Sequence, residues 1–170
     1  MTNVTERRTE ALPIITRTFD APLEKVFKAW TDPKQFAAWW GPKCFTIPIC
    51  EIDPRQGGVY SVVMRSPEGV DFPMRGIYKE IDAPTRIVMT ADVTEHPSCW
   101  HEMVNKERGK NENIGEIIFH VTFDAVAGGK TKLTVQGSFA ERNDYDSLLK
   151  IGMSAGWNES FDKIEKLIEA

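Results

Sequence analysis

The stretch 144–169 places Leu149, Met153, Trp157, Phe161, Ile164 and Ile168 on one helical stripe, a spacing no other segment of the chain sustains for so long. A helix of about 25 residues spans roughly 38 Å at 1.5 Å per residue. Between 45 and 139 the apolar residues recur instead with period two, broken by turn clusters. A sheet that buries one face needs a cover, and only the terminal helix is long enough to supply it. The spacing therefore predicts an α+β fold in which a curved antiparallel sheet wraps one long C-terminal helix. Gly152, Gly156 and Ser160 fall beside the stripe, each just ahead of a large residue. A glycine inside a helix costs about 1 kcal/mol relative to alanine. Two of them on one flank are expected either to admit close sheet backbone or to leave a hollow.

The remaining elements follow from local signals. IITRTF (14–19) reads as a first strand, rich in β-branched residues. Asp20 or Ala21 is the expected cap of a short helix with Pro22 in its first turn and Val26, Phe27 and Trp30 on its apolar face. Asp32-Pro33 starts a second short helix carrying Phe36, Trp39 and Trp40, which Gly41-Pro42 ends. The clusters DPRQGG, SPEG, DAPT and AGGK then separate strands at 45–52, 58–65, 72–81, 86–92, 116–124 and 131–139. Seven strands result, and the polar excursion 94–113 is expected to be a loop.

Composition excludes several classes. A chain of 170 residues with 41% hydrophobic content suits one domain, 1–170, with residues 1–12 as a loosely ordered N-terminal segment. Its 21 basic and 25 acidic residues give a net charge of −4 with no basic stripe, so no nucleic-acid partner is expected. No apolar run reaches signal-peptide or membrane-spanning length, which predicts a cytoplasmic protein without a membrane partner. Cys44, Cys50 and Cys99 show no paired spacing and read as buried free thiols. Neither a nucleophile triad nor a phosphate-cradling glycine loop is present, because Gly57-Gly58 and Gly128-Gly129 precede strands, not helices. No cofactor is expected.

The stretches ITRTFDAPLEKVFKAWTDPKQFAAWWGP, DPRQGGVYSVVM, GIYKEIDAPTRIVMT and GMSAGWNESFDKIEKL together cover the chain in order. They resemble a bacterial START-like family, named for its similarity to the activator of the heat-shock protein 90 ATPase. That family lies within the wider SRPBCC superfamily of polyketide cyclase and lipid-transfer domains. The resemblance implies a helix-grip fold, with a hydrophobic cavity between sheet and C-terminal helix closed by the two short helices. It implies no single activity, since one fold hosts many functions. The eukaryotic activator carries an additional chaperone-contacting domain, for which 170 residues leave no room. A chaperone contact is thus implied only as an alternative.

Strand phase and helix stripe together nominate Trp40, Tyr60, Met64, Phe72, Met74, Met89, Trp100, Phe119, Met153, Gly156 and Trp157 as the lining of a pocket for a small apolar or amphipathic molecule. Methionine and tryptophan beside glycine make an adaptable apolar wall. The excursion EHPSCWHE groups His96, Cys99, His101 and Glu102, but at no established metal-ligand spacing, so a polar lid carrying Trp100 is expected and no metal. His120 is expected on the solvent face. Glu51 and Asp92 lie near strand ends and would enter the cavity only if a bulge shifts their phase. A carboxylate there could act as a general base in a cyclase, dehydratase or hydrolase on a hydrophobic substrate. The sequence leaves open which reading holds, and whether two copies form a homodimer through an edge strand.

Overall fold

Phe19 closes the first strand with its side chain fully buried, and the chain then leaves the sheet through two helices before rejoining it at the opposite edge. The computed structural model describes residues 8–169. In order, these form β1 (Leu12–Phe19), α1 (Leu23–Thr31), α2 (Pro33–Trp39), β2 (Thr46–Ile52), β3 (Val59–Arg65), β4 (Asp71–Asp82), β5 (Arg86–Ala91), α3 (Ser98–Arg108), β6 (Ile117–Val126), β7 (Lys130–Ser138), α4 (Arg142–Lys150) and α5 (Met153–Glu169). The strands make one seven-stranded antiparallel sheet ordered β1-β7-β6-β5-β4-β3-β2. Tight turns join each consecutive pair from β2 to β5, and β6 to β7, so the expected meander is present. Of the N-terminal segment expected to be loosely ordered, residues 1–7 lie outside the described residues. Thr9 pairs with the end of β7, its N–H donating to Phe139 O and its carbonyl accepting from Ser138 Oγ.

The helical connection is set by its caps. The cap of α1 falls on Pro22 and not on Asp20 or Ala21, because the extended ψ of 156° keeps Pro22 outside the helix while its carbonyl accepts from Lys25 and Val26. Asp32 caps α2 through a side-chain bond from the Lys34 N–H at 3.2 Å, with Pro33 in the first turn, as the sequence predicts. Trp30, Phe36 and Trp39 are almost wholly buried, and the Trp39 indole donates to Ala29 O at 2.7 Å. Each such ring buries roughly 200 Å², about 5 kcal/mol by transfer area. That burial fixes the bent helix pair on the sheet, with Phe27 edge-on to Phe123 of β6 at 5.1 Å.

Two expectations change. The single helix predicted over 144–169 is two helices, because Gly152 takes φ +104° and ends α4 before α5 begins. The helical phase resets there, so Leu149 leaves the stripe and is exposed, while Phe161, Ile164 and Ile168 are buried against the sheet. Arg17 of β1 ties α5 down from outside, reaching Asp162 Oδ1 at 2.8 Å and Asn158 O at 3.2 Å. The polar excursion is also not a loop throughout: α3 starts after Pro97 and stops at Gly109, which adopts the left-handed conformation with φ 69°. Its Val104 is buried, and Arg108 anchors it to α4. The thiols differ as well. All three are free, but Cys44 and Cys99 are exposed and Cys50 is half-buried, because Cys44 lies in the turn after α2 and Cys99 on the outer side of α3.

Candidate functional site

Between the inner face of β3, β4 and β6 and the start of α5 lies a cavity of about 380 Å³. Its floor is Met64, Phe72, Met74, Ile117 and Phe119; one wall is Leu148, Ile151, Met153, Gly156 and Trp157. The opposite wall is the turn Trp40-Gly41-Pro42 with Phe45, and α3 with its lead-in covers the mouth through Val93, His96, Trp100 and Met103. The volume falls within the range of about 300–1,000 Å³ usual for small-molecule pockets.

The walls are held by few, specific contacts. Ser160 Oγ donates to Gly41 O at 2.9 Å and Lys163 Nζ to Pro42 O at 3.2 Å, so the turn after α2 is fixed to α5. Burial pushes the Lys163 ammonium below its ordinary value. Trp157 joins three elements: its ring lies 6.2 Å from Trp30 in a stacked arrangement, and edge-on to Trp40 and Phe119, each at 5.3 Å. A Cβ added to Gly156 would meet only Pro42 Cγ, at 3.7 Å, so this glycine faces space and not backbone. The hollow exists because α5 carries no side chain at this point.

Of the residues nominated from sequence, all but Tyr60 and Met89 line this cavity. Tyr60 points inward at the far end of β3, where its hydroxyl donates to Thr90 O and its ring packs on Tyr78 at 5.5 Å. Burial drives that phenol well above its ordinary value. Met89 is fully buried in β5, flanked in the ladder by Tyr78 and Phe119. Alternation assigned both to the correct face, but not to the correct depth along it. Sequence reasoning missed His96, Phe45, Val93, Met103, Ile117, Leu148 and Ile151 as lining residues.

His96 is the one ionisable side chain among the residues lining the cavity. Its Nδ1 lies 2.9 Å from Pro73 O, and its ring is edge-on to Phe72 and Trp100 at 5.4 and 4.7 Å. Burial lowers its pKa to about 4, the Pro73 carbonyl opposing and His101 reinforcing the shift. Glu51 and Asp92 do not enter this cavity; no bulge turns them inward, and they border a separate open hollow with Asp53, Arg75 and Glu116. Asp92 is held below the usual carboxylate range chiefly by bonds from the Thr94 hydroxyl and N–H, and by Arg75 nearby. His120 is half-buried between Phe119 and Val121, and burial lowers its pKa first, followed by Arg86 and Lys79. Among the described residues, no three His, Cys, Asp or Glu side chains converge as metal ligands, and no helix is long and apolar enough to cross a membrane.

The family described as "Activator of Hsp90 ATPase homolog 1-like protein" matches residues 20–169. No curated protein matches at a significant level. Solved structures resemble the chain over most of their length. A protein of Nitrosomonas europaea is 22% identical, with 91% of this chain and 92% of that one covered and a TM-score of 0.74. One from Arthrobacter aurescens is 20% identical, covering 99% and 90%, with a TM-score of 0.72. One from Staphylococcus aureus, described as a protein of unknown function, is 20% identical, covering 94% of each chain, with a TM-score of 0.69. At these identities the likeness is one of fold.

Proposed function

The chain belongs to the Activator of Hsp90 ATPase homolog 1-like family, and from that premise we propose that it is a cytosolic binding protein enclosing a small apolar or amphipathic molecule between its sheet and α5. The supporting observation is the open flank at Gly156, which with the surrounding methionines and aromatics bounds an apolar hollow of about 380 Å³. An enzyme would need an acid–base pair on that wall. His96 stands there without a carboxylate among the lining residues, which favours binding over catalysis.

Gly156→Leu tests the reading, because the position has room for a side chain that would project into the hollow. The variant should melt cooperatively yet take up the fluorescent apolar probe N-phenyl-1-naphthylamine at least about tenfold more weakly, the equivalent of about 1.4 kcal/mol. Native mass spectrometry of freshly purified wild-type protein should show a co-purified small molecule that the variant lacks. Equal uptake by a folded Gly156→Leu protein would overturn the proposal.

A further inference from the structure

The wall of the cavity is apolar apart from a few groups, and His96 is the one whose chemical state the surrounding structure determines. The residue is 8% exposed, and Nδ1 lies 2.9 Å from a carbonyl oxygen, Pro73 O. A carbonyl can only accept, so Nδ1 must carry the proton. The His96 side chain makes no other hydrogen bond among the described residues, and its Nε2 is not among the sealed, unpartnered polar atoms. Phe72 and Trp100 enclose the ring edge-on, and among the described residues no carboxylate pairs with it to favour a second proton. Nε2 is therefore a free lone pair on a cavity-lining side chain.

Resting on the binding function proposed above, we propose that His96 sets the polar specificity of the cavity: its Nε2 accepts a hydrogen bond from the guest, so the site prefers apolar molecules carrying one hydroxyl or N–H donor. Ser160 also lines the cavity, and with its hydroxyl hydrogen committed to Gly41 O at 2.9 Å its oxygen can only accept, so loss of the preference in His96→Phe is what assigns the acceptor to His96. The ring is held by the lead-in to α3 and by β4, so the acceptor is fixed in place before a guest arrives. A fixed acceptor loses little entropy on binding and leaves a guest without a donor facing an unsatisfied nitrogen.

The test compares 1-naphthol with 1-methoxynaphthalene. Both carry an oxygen that can accept from wall N–H groups, and only the first can donate. Affinities come from displacement of N-phenyl-1-naphthylamine. Wild-type protein should favour 1-naphthol by about tenfold, the size of one net hydrogen bond in a dry site. His96→Phe should bring the ratio to near one while leaving the affinity for 1-methoxynaphthalene unchanged or slightly raised. The ¹⁵N resonance of His96 Nε2 in the wild-type protein gives a readout that needs no variant: 1-naphthol should shift it toward the hydrogen-bonded range, and 1-methoxynaphthalene should not. Binding of both probes with equal affinity, or a ratio that survives His96→Phe, overturns the role of His96 and leaves the cavity intact. Failure of both probes to displace the fluorophore from wild-type protein overturns the binding function and this inference together.

Discussion

Arg108 Nε lies 2.9 Å from Asp144 Oδ1, and the two side chains are 3% and 1% exposed. The pair joins the end of α3, which covers the cavity, to α4, which leads into the helix that walls it. Arg108 also donates to Asn105 Oδ1 at 2.8 Å and Glu112 O at 2.7 Å, and Asn143 donates back to Arg108 O. Among the described residues Asp144 Oδ2 has no hydrogen-bond partner, and burial pushes the carboxyl above its ordinary value against the pull of Arg108. Such a pair fixes geometry more than it adds stability. Asp144→Ala should therefore lower the unfolding free energy in urea by about 3 kcal/mol, because it strips the buried guanidinium of its close, buried partner and leaves only the more exposed Glu141, 3.7 Å from Nη2, as counter-charge. The double variant Arg108→Met with Asp144→Leu should recover most of that loss. Equal damage from both would mean that the charges themselves hold α3 in place.

Gly152 and Gly156, one helical turn apart, should respond to alanine with opposite signs. Gly156 has helical backbone and open space at its Cβ position, so Gly156→Ala should stabilise the protein by up to about 1 kcal/mol. Gly152 also has open space, but its φ of +104° is strained for any L side chain. Gly152→Ala should destabilise by about 2 kcal/mol. Thermal unfolding of the two single variants, run side by side, checks the contrast. The same sign at both positions would contradict the break between α4 and α5.

That break was illegible for a physical reason. Leu149 and Met153 are four apart, so the helical spacing runs unbroken through Gly152, and a glycine inside a helix reads the same as one that ends it. The strands were legible because their period is local: Met64, Met74 and Phe119 reach the cavity as alternation predicts. Alternation gives the face of a residue and not its depth, which is why Tyr60 and Met89 were misplaced. The bent pair α1–α2 was readable from Asp32-Pro33 and Gly41-Pro42. Helix α3 was marked just as clearly by Pro97 and Gly109, but Trp100, Met103 and Val104 form too narrow an apolar face to stand out among charged neighbours. The state of His96 depends on a carbonyl 23 residues away, which no local pattern encodes.

The burial that keeps His96 neutral also predicts how stability responds to acid. In the unfolded chain a histidine takes up a proton below about pH 6.5, whereas folded His96 stays neutral down to about pH 4. Between those values the unfolded state binds more protons, so stability falls as the pH falls. The full loss from this group is about 3 kcal/mol, reached near pH 4. His101 is the neighbour whose positive charge would oppose a proton on His96, and His120, also lowered by burial, contributes with the same sign below about pH 6.5. Asp71, Asp92 and Glu141 are held low by their partners, so the stability they supply begins to fall only below about pH 5 and is lost as the pH drops further. The difference between wild type and His96→Phe isolates the single ring. Urea unfolding from pH 7.5 to 4 should show the two curves separating progressively below about 6.5, with wild type losing more. Parallel curves across that window would mean that His96 is not shielded from protons in the folded protein, and that its Nε2 is open to water when the cavity is unfilled.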